Sequence, residues 1–303
     1  MSTIADVIER VYRDYLWPPD EQPARFIVGT NDIAKAATTL PVDTALLSPE
    51  EESLIGPGTL IEVVSAVTGG ELMLIETVTG DPATSTTVRR GMFGTTDVAH
   101  SELDFIYLAP GFPRSKVYDA VADSIESLFP RLWTTAVEET FISSSPVELP
   151  AACEEILEVR FLSGNHWHLI RGWELLTDYP LTSTEKAIQF TAATSGSIQV
   201  KYRAAATRPS TDETEVLLDD LSVLDRWIKI ITVGAAAQMV SGEDVSQATI
   251  DFITEALAAE GFPVGAGATL RNSLLQFQDF LIRPLEDALE ARHRTGIVYE
   301  ELL

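Results

Sequence analysis

"ELMLIETVTGDPATSTTVRRGMFGTTDVAH", residues 71–100, decides between two architectures. As two strands and a glycine turn it makes this part of the chain a β module. As a loop carrying Arg89, Arg90 and His100 it makes a site. In Leu72–Val78 both alternating faces are apolar, with Leu72 and Leu74 on one and Met73 and Ile75 on the other. That suits a strand covered on both sides, as in a small barrel or sandwich. Gly80-Asp81-Pro82 turns the chain into the next strand. Arg89 and Arg90 end that strand, "GMFGTT" turns because glycine tolerates positive φ, and His100 lies just beyond. We therefore expect a structural hairpin whose arginines face a neighbouring subunit, and not an active site.

The same β character extends outward through "RFIVG", "GTLIEVVSAV" and "LDFIYLA", which are short, rich in Val, Ile and aromatics, and bounded by Gly, Pro and Asp. Before them, residues 3–16 have helical spacing. Thr3 is the cap, Asp6 holds the capping-box position, and Ile4, Val7, Ile8, Val11 and Tyr15 share a face. Trp17-Pro18-Pro19 ends that helix. After "PGFP", Ser115–Leu132 is expected to be helical, with Pro130 shortening its last turn. A second β block follows "SSSP": "VEL", "EEILEVRFL", "HWHLIRGWEL", "AIQFTA" and "GSIQVKYRA", an antiparallel sheet of about four to five strands. The last third is helical over Thr214–Ser241, Ser246–Ala259 and Thr269–Glu290. "RTGIVYEELL" then leaves as a tail.

From this order we expect an α+β protein: a helical-bundle core carrying two inserted antiparallel β modules. Its segments are an N-terminal helix (1–20), a first β module (21–110), a bundle helix (111–134), a second β module (135–210), a C-terminal helical bundle (211–292) and a tail (293–303).

The 303 residues are 45% hydrophobic and 22% charged, which is globular rather than disordered composition. Apolar runs such as Ile230–Val233 fall far short of the ~20 residues a membrane span needs, and no secretory signal opens the chain. Cys153 is the one cysteine, so no disulfide forms within the chain. Lys+Arg number 21 against 46 Asp+Glu, a net charge of −25 that repels phosphate backbones. The charge fits an ordinary solvated acidic surface, and it fits equally a lumen past which nucleic acid slides without sticking.

Candidate chemistry is sparse. His166 and His168 share a strand face, but Glu154, Glu155 and Glu158 offer no binding spacing for a third ligand, so no metal site is expected. "GFPVGAGATLRNS" is glycine-rich ahead of a helix but lacks the lysine of a phosphate loop, so a flexible connection explains it better. No nucleophile elbow, zinc-protease or phosphate-loop motif is present. No enzyme activity and no cofactor are expected. Basic charge concentrates at Arg89-Arg90, at Arg114 and Lys116, and at Arg292 and Arg294. On so acidic a chain these are contacts for a neighbouring copy, or simply solvated loop charge. Ile297, Val298, Tyr299, Leu302 and Leu303 make the chain end apolar, as suits an arm docking on a partner.

Residues 58–100, "GTLIEV…ELMLIETVTG…TVRRGMFGTTDVAH", resemble a hairpin segment of tailed-bacteriophage virion proteins. Residues 113–133, "PRSKVYDAVADSIESLFPRLW", resemble the helix that follows in head-to-tail connector (adaptor) proteins. The resemblance covers about half the chain and carries no catalytic signature. It implies a non-enzymatic adaptor, a ring of twelve copies beneath the portal protein that contributes to the DNA exit channel. DNA passes without specific binding, and the next connector or tail protein attaches below. It also implies a protein made in the host cytoplasm and located in the virion, with Arg294–Leu303 inserted among portal subunits. Two other readings stay open: a tail-side virion protein such as a terminator or baseplate component, and a β-rich carbohydrate- or host-binding module using Trp133, Trp167, Trp173 and Tyr202.

Overall fold

The computed structural model describes residues 2–18, 25–29, 32–45, 47–65, 69–80, 83–102, 104–108, 110–142, 146–177, 179–180, 182–191, 196–209, 221, 223–241, 247–261 and 270–295. The chain divides into two compact units. One is Met1–Ser124 with Pro209–Leu218 and Asp225–Leu281; the other is Ile125–Arg208 with Asp219–Leu224 and Ile282–Leu303.

The first unit opens with α1 (Ile4–Val11), where Thr3 Oγ1 accepts from the Asp6 N–H and the Asp6 carboxylate accepts from the Thr3 N–H. Ile4, Val7, Ile8 and Val11 are buried along one stripe. A π-helical turn, Tyr12–Leu16, continues it, and the Tyr12 ring stacks on Trp17 at 3.9 Å. Six strands then close a barrel: β1 (Arg25–Val28), β2 (Thr39–Asp43), β3 (Leu60–Ser65), β4 (Gly69–Gly80), β5 (Ala83–Arg89) and β6 (Phe105–Leu108). The order around it is β1-β2-β5-β4-β3-β6, every neighbouring pair is antiparallel, and β6 returns to β1 through Phe26↔Ile106. A one-turn helix, α2 (Pro49–Glu52), lies between β2 and β3. Phe26, Val28, Ile61, Val63, Met73 and Ile106 fill the interior. Each such burial contributes roughly 1.5–3 kcal/mol before the cost of ordering the chain. β2 was not among the expected strands, and it holds Pro41 within "TLPVD", a residue that sheets confine to edges and bulges. The Pro41 carbonyl nevertheless accepts from the Gly29 N–H at 2.9 Å.

The remaining helices are α3 (Arg114–Glu126), α4 (Ile228–Met239), α5 (Gln247–Ala259) and α6 (Leu270–Thr295); the first unit takes α3 as far as Ser124, α4, α5, and α6 as far as Leu281. α4 is buried almost all round and packs against α1. Where α4 meets its neighbours it carries Gly234; a Cβ there would lie 2.3 Å from Gln278 Nε2 and 2.4 Å from Ser124 Oγ. Those two groups donate to the α4 carbonyls of Ile230 and Ile231, at 3.3 and 3.1 Å.

The second unit holds β7 (Thr134–Ile142), β8 (Val147–Glu148), β9 (Cys153–Ser163), β10 (His166–Leu169), β11 (Trp173–Thr177), β12 (Lys186–Phe190) and β13 (Gly196–Ala204). They form two antiparallel sheets, not the single sheet expected: β10-β9-β13-β7 and β11-β12-β8. "HWHLIRGWEL" divides between them, β10 ending before and β11 starting after Gly172, whose φ of 92° suits glycine alone. Val159, Ile188, Ile198, Val200 and Tyr202 share their core.

The expected helical-bundle core with β insertions is therefore wrong. The fold is α+β but β-rich, with a closed six-stranded barrel around one core and two further sheets that share another. Six α-helices lie among the described residues. The expected helix over 214–241 also shortens. Residues 214–220 lie outside the described residues, and α4 begins only at Ile228, after a 3-10 turn at Asp225–Trp227. No helix among the described residues is long and apolar enough to cross a membrane.

Candidate functional site

Alternation along β4 places Glu71 on the same face as Met73, opposite Val63, so its carboxylate enters one end of the barrel. Arg90, one residue past β5, reaches it from the adjacent strand. Arg90 Nε donates to Glu71 Oε1 at 2.9 Å and Nη2 to Oε2 at 2.5 Å, a two-pronged pair with side chains 4% and 0% exposed. The other guanidinium N–H groups go to the carbonyls of Ala34 (3.0 Å), Ala37 (3.3 Å) and Val98. All five donors of Arg90 are thus matched. His100 lies across the same carboxylate, Nε2 to Oε2 at 2.9 Å, and its backbone pairs with Ile33. Since Glu71 is ionised, Nε2 carries the hydrogen. The N–H groups of Gly91 and Val98 complete the set at 3.2 Å each.

Burial alone would raise the Glu71 carboxyl. Hydrogen bonds from Arg90, His100 and the Val98 N–H, with the charge of Arg90, outweigh it and bring the group down to about 2. An acid so firmly ionised, sealed from water and filled with donors has no proton to give and no face for a substrate. It is an anchor. It pins residues 91–100 across the barrel end, where Gly91 takes φ 62° as expected of a turn glycine. Phe93 takes φ 54° as well, an uncommon conformation for an aromatic residue, and is 76% exposed.

A second buried carboxylate, Glu62 on β3, sits on the outer face of the barrel and is 2% exposed. It accepts from the Ser115 N–H at 3.3 Å at the first turn of α3, where helix N–H groups lack internal partners. Arg114 leans past it to Glu9 at 2.6 Å, and the Tyr12 hydroxyl donates to the Phe112 carbonyl at 2.9 Å. Burial pushes the Glu62 carboxyl up to about 7, against the pull of the Arg114 and Ser115 N–H groups and the Arg114 charge. The approach is tight at Gly70, where a Cβ would lie 2.3 Å from Glu62 Oε1.

The four arginine and lysine positions expected to face a neighbour differ. Arg90 is enclosed in the anchor, and Arg114, 12% exposed, bridges to Glu9. Arg89 is exposed and pairs with Glu76 at 2.9 Å; Lys116 is exposed on α3. Arg294 falls in the last turn of α6, and Ile297, Val298, Tyr299, Leu302 and Leu303 lie outside the described residues. His166 and His168 are both exposed on β10, and among the described residues no three His, Cys, Asp or Glu side chains gather as metal ligands do. Trp133 and Tyr202 are buried at 6% and 5%, so the four aromatics do not make one exposed platform. Burial pushes the Cys153 thiol up to about 11.

Glu62 and Glu71 were missed in the sequence, although each leaves a signal: an acid inside the apolar run "LIEVV" and one at the head of the apolar run "ELMLI". Comparison with models of known protein families gives no match, and comparison with curated proteins gives none.

Proposed function

We propose that this chain is a non-enzymatic structural protein of the tailed-phage virion, a head-to-tail adaptor. In this role it assembles as a ring, of twelve copies, beneath the portal and contributes to the channel through which DNA leaves the head. The observation that carries the proposal is the burial of the Glu71–Arg90–His100 cluster: the stretch most like an active site is a structural anchor with every guanidinium hydrogen engaged. The resemblance over residues 58–100 and 113–133 supports it, and so does a net charge of −25, which lets DNA slide past rather than bind. The proposal does not need a helical-bundle core. The same resemblance leaves one second reading, a tail-side terminator or baseplate component.

Cryo-electron microscopy of intact particles carrying the chain tests both. Twelve copies between portal and tail are expected. Six or three copies further down assign the tail-side role, and absence from particles overturns both. Deleting Gly296–Leu303 is expected to leave the melting temperature unchanged and abolish attachment to the portal; retained attachment removes the arm from the mechanism.

A further inference from the structure

β7 is an edge strand of unusual kind. Its nine residues pair with β13 in unbroken register, Thr134↔Ala204 through Ile142↔Gly196, and among the described residues no strand pairs with its other side. Natural edge strands are protected by proline, lysine, a bulge or shortness, because a free row of N–H and C=O groups templates further pairing. "TTAVEETFI" has no proline, lysine or bulge and is nine residues long; its only charges are Glu138 and Glu139. Instead, Val137 is 51% and Phe141 69% exposed on one face, with Glu139 between them. The opposite face is held to the core through Ala136, so the edge is presented by a fixed strand.

We propose that the free edge of β7 is a strand-addition site for an extended segment of another protein, one that sets a basic pair against Glu138 and Glu139 with apolar residues on either side. Main-chain hydrogen bonds supply the affinity in this mode, and alternate side chains supply the choice of partner. The strand already seated on the other side of β7 shows what the shared face accepts: Gln199 lies opposite Glu139 and donates to it at 2.9 Å, and Lys201 and Arg203 lie opposite Val137 and Thr135. A second copy is disfavoured in the central registers: antiparallel self-pairing centred on residue 138 sets Glu138 against Glu138, and centred on residue 139 sets Glu139 against Glu139, which is destabilising in a sheet. A charge of −25 on each copy adds to that opposition. The inference concerns the second unit alone and holds whether or not the chain belongs to a virion.

The test uses the full chain and a fluorescein-labelled peptide, Val-Thr-Lys-Arg-Val-Thr-Thr, with an analogue carrying Glu-Asp in place of Lys-Arg. Binding is read by fluorescence anisotropy. The basic peptide is expected to bind at least about tenfold more tightly than the acidic one. E138K/E139K is expected to reverse that preference, and V137K/F141K to abolish binding of both, with melting temperatures showing that each variant is folded. The double reversal separates the site from general attraction to an acidic protein, since only two of its charges change sign. Absence of binding, or an unchanged preference in E138K/E139K, overturns the proposal. So does a dimer of the unmodified chain that V137K/F141K dissolves, which assigns the edge to a second copy.

Discussion

Glu71 and Arg90, 19 residues apart in the chain, share two hydrogen bonds at the barrel end, and Arg90 carries three backbone carbonyls besides. That second set of bonds makes the pair unlike an isolated buried ion pair. Arg90→Ala strands a buried carboxylate and frees three carbonyls, and is expected to cost about 3–5 kcal/mol in urea unfolding. Replacing both partners, as Glu71→Leu with Arg90→Met, often restores stability elsewhere; here most of the loss is expected to remain, because the carbonyls of Ala34, Ala37 and Val98 stay unmet. Full recovery in the double variant would show that the carbonyls find water.

The two buried carboxylates oppose one another in pH. Glu71 is held near 2 against an ordinary value of 4.5, so its stabilisation is complete above pH 4.5 and is lost as pH falls through 2. Glu62 is pushed to about 7, so the unfolded chain releases this proton first, and stability falls as pH rises from 4.5 to 7 and then levels. The combined contribution of these two groups is greatest near pH 4–5. Glu62→Gln keeps an acceptor for Ser115 and is expected to flatten the alkaline limb, gaining on the order of 1–3 kcal/mol at pH 8 and little at pH 4.5. A melting series over pH 3–9 on both proteins checks the sign.

Gly234→Ala is expected to destabilise by about 1–3 kcal/mol although alanine is the better helix former. The added carbon displaces Gln278 and Ser124, the two side chains that donate into α4. If instead the variant gains stability in chemical denaturation, propensity outweighs those bonds.

Cys153 is fully buried and its thiol is pushed up to about 11, so native protein is expected to resist Ellman's reagent at pH 8 while denatured protein reacts at once. Rapid native labelling would mean that the β9 end opens on the timescale of the assay.

Much of this was legible where the cause is local. The Thr3–Asp6 cap needs only a four-residue window, and the apolar stripe of α1 only two turns. β7 was missed because its alternation mixes Thr, Val, Glu and Phe on one face, a pattern with no clear buried side; Val137 and Phe141 are exposed. The anchor was legible in part. Arg90 and His100 drew notice as polar residues beside glycines, but their meeting on Glu71 depends on strand register, which spans 19 and 29 residues. The bundle core was misjudged for a related reason: periodicity tells which side of a helix is covered, not what covers it.

α1 packs on α4, and the two lie more than 200 positions apart in a chain synthesised from its N-terminus. The barrel strands are all present once Leu108 has left the ribosome, long before Ile228 is made. α1 therefore waits for its α4 seat until after the barrel strands are made, and the Ile4–Val7–Ile8–Val11 stripe is left to be covered late. Shortening that wait, by moving residues 1–16 to follow Thr295 in a permuted gene, is expected to raise the soluble yield.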